Sequence, residues 1–156
     1  MQDTQMLTGK KILIVDDEPD ILESLEDILD MCAVDSASDY DTAEQLINNN
    51  MYDAAVLDVM GVRGYDLLEL ANYKGIPVII LTSHALSVEN LITSVEKGAK
   101  AYIPKDKISD IEIYLSDIII DKHENNSKFG KWFDRLKIYF DNKFGTGWLD
   151  KHNNLS

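Results

Sequence analysis

With 156 residues, 45% of them apolar and 28% charged, the chain is long enough for one compact domain with a real core plus an appendage. Its net charge is −13, unevenly spread: residues 1–122 carry 24 acidic and 9 basic side chains, whereas residues 123–156 carry 4 and 6. Such an acidic body repels nucleic acid and anionic lipid and suits metal ions and basic protein surfaces. The single cysteine, Cys32, excludes an intramolecular disulfide, and its acidic surroundings predict a small packed hydrophobe rather than a reactive thiol. There is no run of about 20 apolar residues to span a membrane, and Met1 to Thr8 lacks the basic start and apolar stretch of a signal peptide, so a cytoplasmic protein is expected.

The first 120 or so residues alternate between two hydrophobic periods. Lys11–Val15 is a short, β-branched apolar run and reads as a buried strand. Pro19 then opens a helical pattern through Ile21, Leu22, Leu25, Ile28, Leu29 and Cys32, with proline and acids in the first turn. Ala33–Ser38 is a brief second strand, and Asp41-Thr-Ala-Glu44 reads as a capping box opening the next helix. Ala54–Val59 is a third strand that carries Asp58 near its end. A loop with Gly61 and Gly64 follows, then a helix with Leu67, Leu68 and Leu70. Val78–Thr82 is as apolar as a central parallel strand should be. Ser87 caps a helix that stops at Gly98; Ala101–Ile103 is the fifth strand; Ser109-Asp-Ile-Glu112 is a second capping box, starting a helix to about Asp121. Strict alternation of five strands and five helices predicts an α/β fold, a doubly wound parallel sheet with helices on both faces. The boundaries expected are 9–122 for this domain and 123–156 for a polar linker (His123 to Ser127) and one more amphipathic helix, about Lys128 to Phe144, broken by Gly145-Thr-Gly147.

In open α/β sheets, ligands sit beyond the carboxyl ends of the strands. Asp16 and Asp17 follow the first strand, Asp58 ends the third, Thr82 the fourth, and Lys105 stands two residues past Ile103. Three carboxylates, a hydroxyl and an amine are thereby directed into one crevice. Three carboxylates so close need a counter-charge, and an oxygen-only set suits Mg²⁺, which keeps coordination sites for water and a phosphate oxygen. Lys105 and Thr82 would serve the same oxygens, an assembly suited to phosphoryl transfer onto a carboxylate. Each residue alone has a plainer reading: acids at helix starts are caps, a strand-end Asp forms turns, Lys105 is a solvated lysine, Tyr102 a half-buried strand aromatic. It is their joint placement that argues for a site.

Four segments in order, Ile14-Val15-Asp16-Asp17-Glu18-Pro19, Val56-Leu57-Asp58-Val59-Met60, Ile80-Leu81-Thr82-Ser83 and Gly98-Ala99-Lys100-Ala101-Tyr102-Ile103-Pro104-Lys105, resemble the receiver domain of response regulators, the CheY-like family of two-component signalling, over about residues 9 to 122. The resemblance implies a flavodoxin-like five-stranded sheet of order 2-1-3-4-5. It implies that Asp58 is the phosphoacceptor, that Asp16, Asp17, Asp58 and the Met60 backbone carbonyl hold Mg²⁺, and that Lys105 bridges to the acyl phosphate. Thr82 and Tyr102 would be the switch pair: Thr82 moves toward the phosphoryl group and the Tyr102 ring turns inward, remodelling the surface of helix four, strand five and helix five. The implied partners are a histidine kinase or phosphotransfer protein and a downstream protein target, with no nucleic acid and no membrane span. The chain would be a phosphoacceptor signalling protein, at most catalysing its own phosphoryl transfer and hydrolysis. A phosphate sink or relay intermediate, and an unphosphorylated binding scaffold, are the alternatives within signalling. A haloacid-dehalogenase-type phosphatase would want an Asp where Met60 stands, and a flavodoxin-type FMN carrier would be repelled by Asp16-Asp17-Glu18. His84 lies beside the site, as a tuner of water access or a plain loop residue; His123 and His152 carry no assignment.

The sequence departs from the family pattern twice. The loop Met60-Gly61-Val62-Arg63-Gly64 lacks the customary proline and is short, and Asp106 stands where a proline, joined by a cis bond, usually follows the lysine. A trans or strained bond is expected, since a non-proline cis bond costs about 2.5–4 kcal/mol. Beyond the resemblance, Phe129, Trp132, Phe133, Leu136, Tyr139, Phe140 and Phe144 share one helical face, too much aromatic surface to leave in water. Ile111, Tyr114, Leu115 and Ile118 should face the sheet, leaving Ile113 and Ile120 as a second stripe for the added helix to cover, within the chain or across a homodimer through helix five and the C-terminal helix.

Overall fold

The computed structural model describes residues 6–60, 63–83, 87–120 and 130–151. His84, the segment His123 to Ser127, Lys128, Phe129 and His152 lie outside the described residues. Five strands, β1 (Lys11–Val15), β2 (Ala33–Ala37), β3 (Ala54–Asp58), β4 (Val78–Thr82) and β5 (Ala101–Pro104), form one parallel sheet of order β2-β1-β3-β4-β5. This is the flavodoxin-like receiver fold expected. The helices are α1 (Pro19–Ile28), α2 (Tyr40–Asn49), α3 (Gly64–Tyr73), α4 (Val88–Glu96), α5 (Ile111–Ile120) and the C-terminal α6 (Lys131–Phe144). No described helix is long and apolar enough to cross a membrane.

Burial follows sheet position. The central strands β3 and β4 are buried at every residue, as parallel strands covered on both faces must be. The edge strand β2 is polar and half exposed along Asp35 and Ser36, which discourages pairing with another chain. Proline ends β5 at the opposite edge, where its missing donor breaks no ladder.

The helix starts are where local sequence rules are partly overruled. Ser87 caps α4, its side chain accepting from the Asn90 N–H at 3.0 Å, as the sequence predicts. The cap of α2 is Asp39, which accepts from the Thr42 N–H at 2.8 Å, so the helix starts ahead of the Asp41 box. The Ser109 box fails differently: Ser109 lies inside a 3₁₀ segment, Lys105–Asp110, that runs directly into α5. Leu29 ends α1 early, and Cys32, half-buried, lies in the turn before β2 with its thiol near the Leu7 carbonyl.

Helix α5 buries Ile111, Tyr114, Leu115 and Ile118, the face predicted to meet the sheet. It also buries Ser116 and Asp117, which no apolar pattern could announce. Arg135 of α6 explains Asp117: its Nε and Nη2 donate to Oδ2 and Oδ1 at 2.7 and 3.0 Å, a bidentate pair. This ion pair ties α5 to α6, and Ile113 and Ile120 are half-buried. Trp132, Phe133, Leu136 and Phe140 of α6 are buried and belong to the same apolar core as the sheet. Gly145 and Gly147, both at positive φ, turn the chain so that Trp148 folds back to 5.1 Å from the Phe144 ring.

Removing Arg135 leaves a buried carboxylate without its partner. Arg135→Ala should cost about 2–3 kcal/mol in urea unfolding. Replacing both Arg135 and Asp117 with leucine should recover most of that loss. A double variant as unstable as the single one would show that the pair's charge is not what fastens α6.

Candidate functional site

Register brings the site together. Val15 pairs with Leu57, so Asp16, one residue beyond β1, stands beside Asp58 at the end of β3. Thr82 pairs with Pro104, so Lys105 emerges one residue beyond, across β4 from Asp58. Carboxylate oxygens of Asp16, Asp17 and Asp58 lie within 4.8 Å of one another. Asp16 and Asp58 are buried, at 1% and 6% exposure, and Asp17 is open to solvent.

One ammonium serves this cluster. Lys105 Nζ lies 2.9 Å from Asp16 Oδ2, 3.2 Å from Glu18 Oε1 and 3.8 Å from Asp58 Oδ1. The Glu18 N–H donates to Asp16 Oδ1 at 2.9 Å, and the Met60 N–H to Asp58 Oδ1 at 3.3 Å. These contacts do not compensate Asp58 fully: burial first, then the Asp16 charge, push its pKa up to about 6, against the pull of Lys105. Asp16 is also raised, mainly by burial. Burial alone would lower the Lys105 pKa, but the surrounding carboxylates outweigh it and hold the ammonium charged. The Lys105–Asp106 bond is trans, and Lys105 still reaches the site.

Thr82 and Tyr102 are both fully buried. The Tyr102 hydroxyl is in hydrogen-bonding reach of the Thr82 side chain and the Ser87 backbone, so its ring already lies inward; burial raises its pKa. On the neighbouring α3, the Tyr65 hydroxyl meets Ser94 Oγ at 3.1 Å.

Close backbone approach sets where α3 starts against β3. A Cβ on Gly64 would overlap the Asp58 carbonyl oxygen and come to 2.6 Å from the Val59 Cα, so α3 begins directly against the end of β3. Arg63, just before it, is at φ 54 and ψ 53, the one non-glycine residue with positive φ among those described. A left-handed arginine is strained by about 1–2 kcal/mol. Two contacts hold it: Nε donates to Asp66 Oδ2 at 2.9 Å, and the guanidinium lies 3.9 Å from the centroid of the Tyr40 ring.

All sequence-predicted side chains, Asp16, Asp17, Asp58, Thr82 and Lys105, thus gather at one end of the sheet, with Tyr102 behind Thr82. Met60 contributes its backbone N–H here, and its side chain is exposed. Sequence reasoning missed Glu18 as a partner of Lys105, although its place beside Asp16-Asp17 was the available signal. It also missed Arg63 and Tyr40, for which no local pattern speaks.

A sequence model of the response regulator receiver domain matches residues 12–115, two thirds of the chain. The chain belongs to the response-regulator receiver family. Phosphorylation and Mg²⁺ are general features of that family, whose members signal in two-component systems. This receiver is 37% identical over 108 residues to a protein described as probable transcriptional regulator ycf27 from Guillardia theta, covering 66% of this chain and 42% of that one. It is 37% identical over 101 residues to response regulator MprA of Mycobacterium sp. (strain KMS), covering 61% of this chain and 44% of that one. The receiver chain therefore spans less than half the length of these curated relatives. Among solved structures, the receiver domain of Francisella response regulator 1452 matches with TM-score 0.60 and 30% identity, covering 69% of this chain and 97% of that one. A CheY-like receiver domain protein from Methanospirillum hungatei JF-1 matches with TM-score 0.59 and 32% identity, covering 69% and 94%.

The raised Asp58 pKa fixes a sign for stability. A carboxyl that holds its proton more tightly folded than unfolded contributes stability fully present below about pH 4, and that contribution is lost as pH rises through about 6. Without divalent cations, Asp58→Asn should therefore be more stable than the wild type well above pH 6, by about 2–3 kcal/mol. The gap should close as pH falls toward 4. Urea midpoints across that range measure it; a gap independent of pH would contradict the assignment. In the same assay Gly64→Ala should lose about 1–3 kcal/mol through overlap with the Asp58 backbone.

Proposed function

We propose that the chain is a phosphorylation switch whose phosphoacceptor is Asp58, supplied by a phosphohistidine on a histidine kinase or phosphotransfer protein. The observation that carries this reading is the clustering of Asp16, Asp17 and Asp58, two of them buried, with the Lys105 ammonium against Asp16 and Asp58. The excess negative charge fits a divalent cation, and the donors are all hard oxygens, which suits Mg²⁺. Asp16, Asp17, Asp58 and the Met60 backbone carbonyl would hold it; when bound it would neutralise phosphoryl oxygens and draw Asp58 into its ionised form.

The chain's own residues account for the rest. An ionised Asp58 oxygen attacks phosphorus in line, the bond from phosphorus to the donor's imidazole nitrogen breaks, and its electron pair leaves with the imidazole. Lys105, already charged, faces the oxygens on which charge gathers. Thr82 offers its hydroxyl to the same group. Moving it there would part it from the Tyr102 hydroxyl, and this is the coupling by which the Thr82–Tyr102 pair would report phosphorylation to the surface of α4, β5 and α5. We assign residues 9–122 to the receiver unit and 123–156 to the extension. Output would run through protein contacts, since the net charge of −13 disfavours direct contact of this chain with nucleic acid.

Beryllium fluoride, an acyl-phosphate mimic, tests the switch. With Mg²⁺ it should change Trp132 and Trp148 fluorescence saturably, because both indoles are buried in the α6 ring cluster, and light scattering should report any change in assembly. Asp58→Asn should abolish the response. A wild type that binds no beryllium fluoride by direct titration would contradict the switch and favour a scaffold.

A further inference from the structure

The ammonium of the site sits on a turn of which Ile108 is packed, partly buried, against the apolar core. Lys105 opens the 3₁₀ segment Lys105–Asp110, in which no residue is fully buried and Lys107 departs from helical geometry at φ −106, ψ 19. The β5 ladder ends one residue before it, where Pro104 pairs with Thr82, and α5 begins only at Ile111. Between these points α6 holds the turn from outside. The Tyr139 hydroxyl donates to Asp106 Oδ2 at 3.0 Å, and the Lys107 ammonium lies 5.5 Å from the Tyr139 ring centroid. Helix α6 is in turn fixed by the Arg135–Asp117 pair and by its buried rings. Asp106 is the residue that stands where the family pattern has proline, and here its carboxylate is the handle by which the turn is held.

We propose that Tyr139 is a positioning residue for Lys105, acting through Asp106, so that the C-terminal helix is a working part of the acceptor site; this rests on the reading of Asp58 as phosphoacceptor. Lys105 has a four-carbon flexible stem, and its head meets the carboxylates only if the root of that stem stays in place. Charge grows on the phosphoryl oxygens during transfer, so a displaced ammonium weakens the transition state more than donor binding. The effect should fall on the maximal rate and leave the half-saturating donor concentration unchanged.

The test uses the full chain with Mg²⁺ and acetyl phosphate as a small-molecule donor, following acyl-phosphate formation. Tyr139→Phe keeps the ring against Phe140 and removes only the hydroxyl, and thermal melting checks that the variant is folded. Tyr139→Phe and Asp106→Ala should each lower the maximal rate about 2- to 10-fold, and together no more than either alone. Asp106→Asn, whose amide oxygen still accepts from Tyr139, should stay near the wild-type rate. Unchanged rates in Tyr139→Phe and Asp106→Ala, or a loss in Asp106→Asn equal to that in Asp106→Ala, would overturn the positioning role. A wild type that takes no phosphoryl group would overturn the Asp58 reading itself and the positioning role with it, so the wild-type rate tells the two failures apart.

Discussion

Three carboxylates share the carboxyl end of this sheet with one ammonium, and the strand order leaves them no choice. Because β1 and β3 are neighbours in parallel register, residues just beyond them must lie side by side, and in this chain both are aspartates. Because β4 and β5 are paired at Thr82 and Pro104, the next residue, Lys105, reaches across with its ammonium. Lys105 divides itself among Asp16, Glu18 and Asp58, which is too little charge for the number of acids it meets. Burial first, and then the Asp16 charge, raise the pKa of Asp58, and a divalent cation bound with a phosphoryl group would offset both.

The elements around the site keep that unfavourable arrangement in place. Gly64, having no Cβ, lets α3 start against the Asp58 carbonyl. Its neighbour Arg63 accepts a strained backbone, held by Asp66 and the Tyr40 ring. On the other flank, Asp106 forgoes the stiffness of proline and is tied to Tyr139 instead. Both departures from the family pattern thus have a physical counterpart in side-chain contacts from outside the loop concerned.

Much of this was legible in the sequence because parallel strands announce themselves. Val78–Thr82 and Lys11–Val15 are apolar runs that only a sheet covered on both faces would bury, and the chemistry-bearing residues end the run or follow it at once. What was not legible is non-local. The Asp41 box is a sound local motif, but Asp39 reaches the Thr42 N–H first. The Ser109 box yields to a 3₁₀ turn whose Asp106 is held by Tyr139, 33 positions away. Asp117 is buried on α5 against a partner, Arg135, on another helix; no periodicity in either segment encodes their meeting. Helix α6 is held both by that ion pair and by its buried apolar face, and Ile113 and Ile120 are half-buried.

The most direct measurement locates the phosphoryl group. After incubation with a phosphohistidine donor and Mg²⁺, borohydride reduction of the acyl phosphate followed by peptide mass mapping should convert one aspartate, Asp58, and no other. Modification of Asp16, Asp17 or another acid, or of none while the donor discharges normally to a known receiver, would contradict the account.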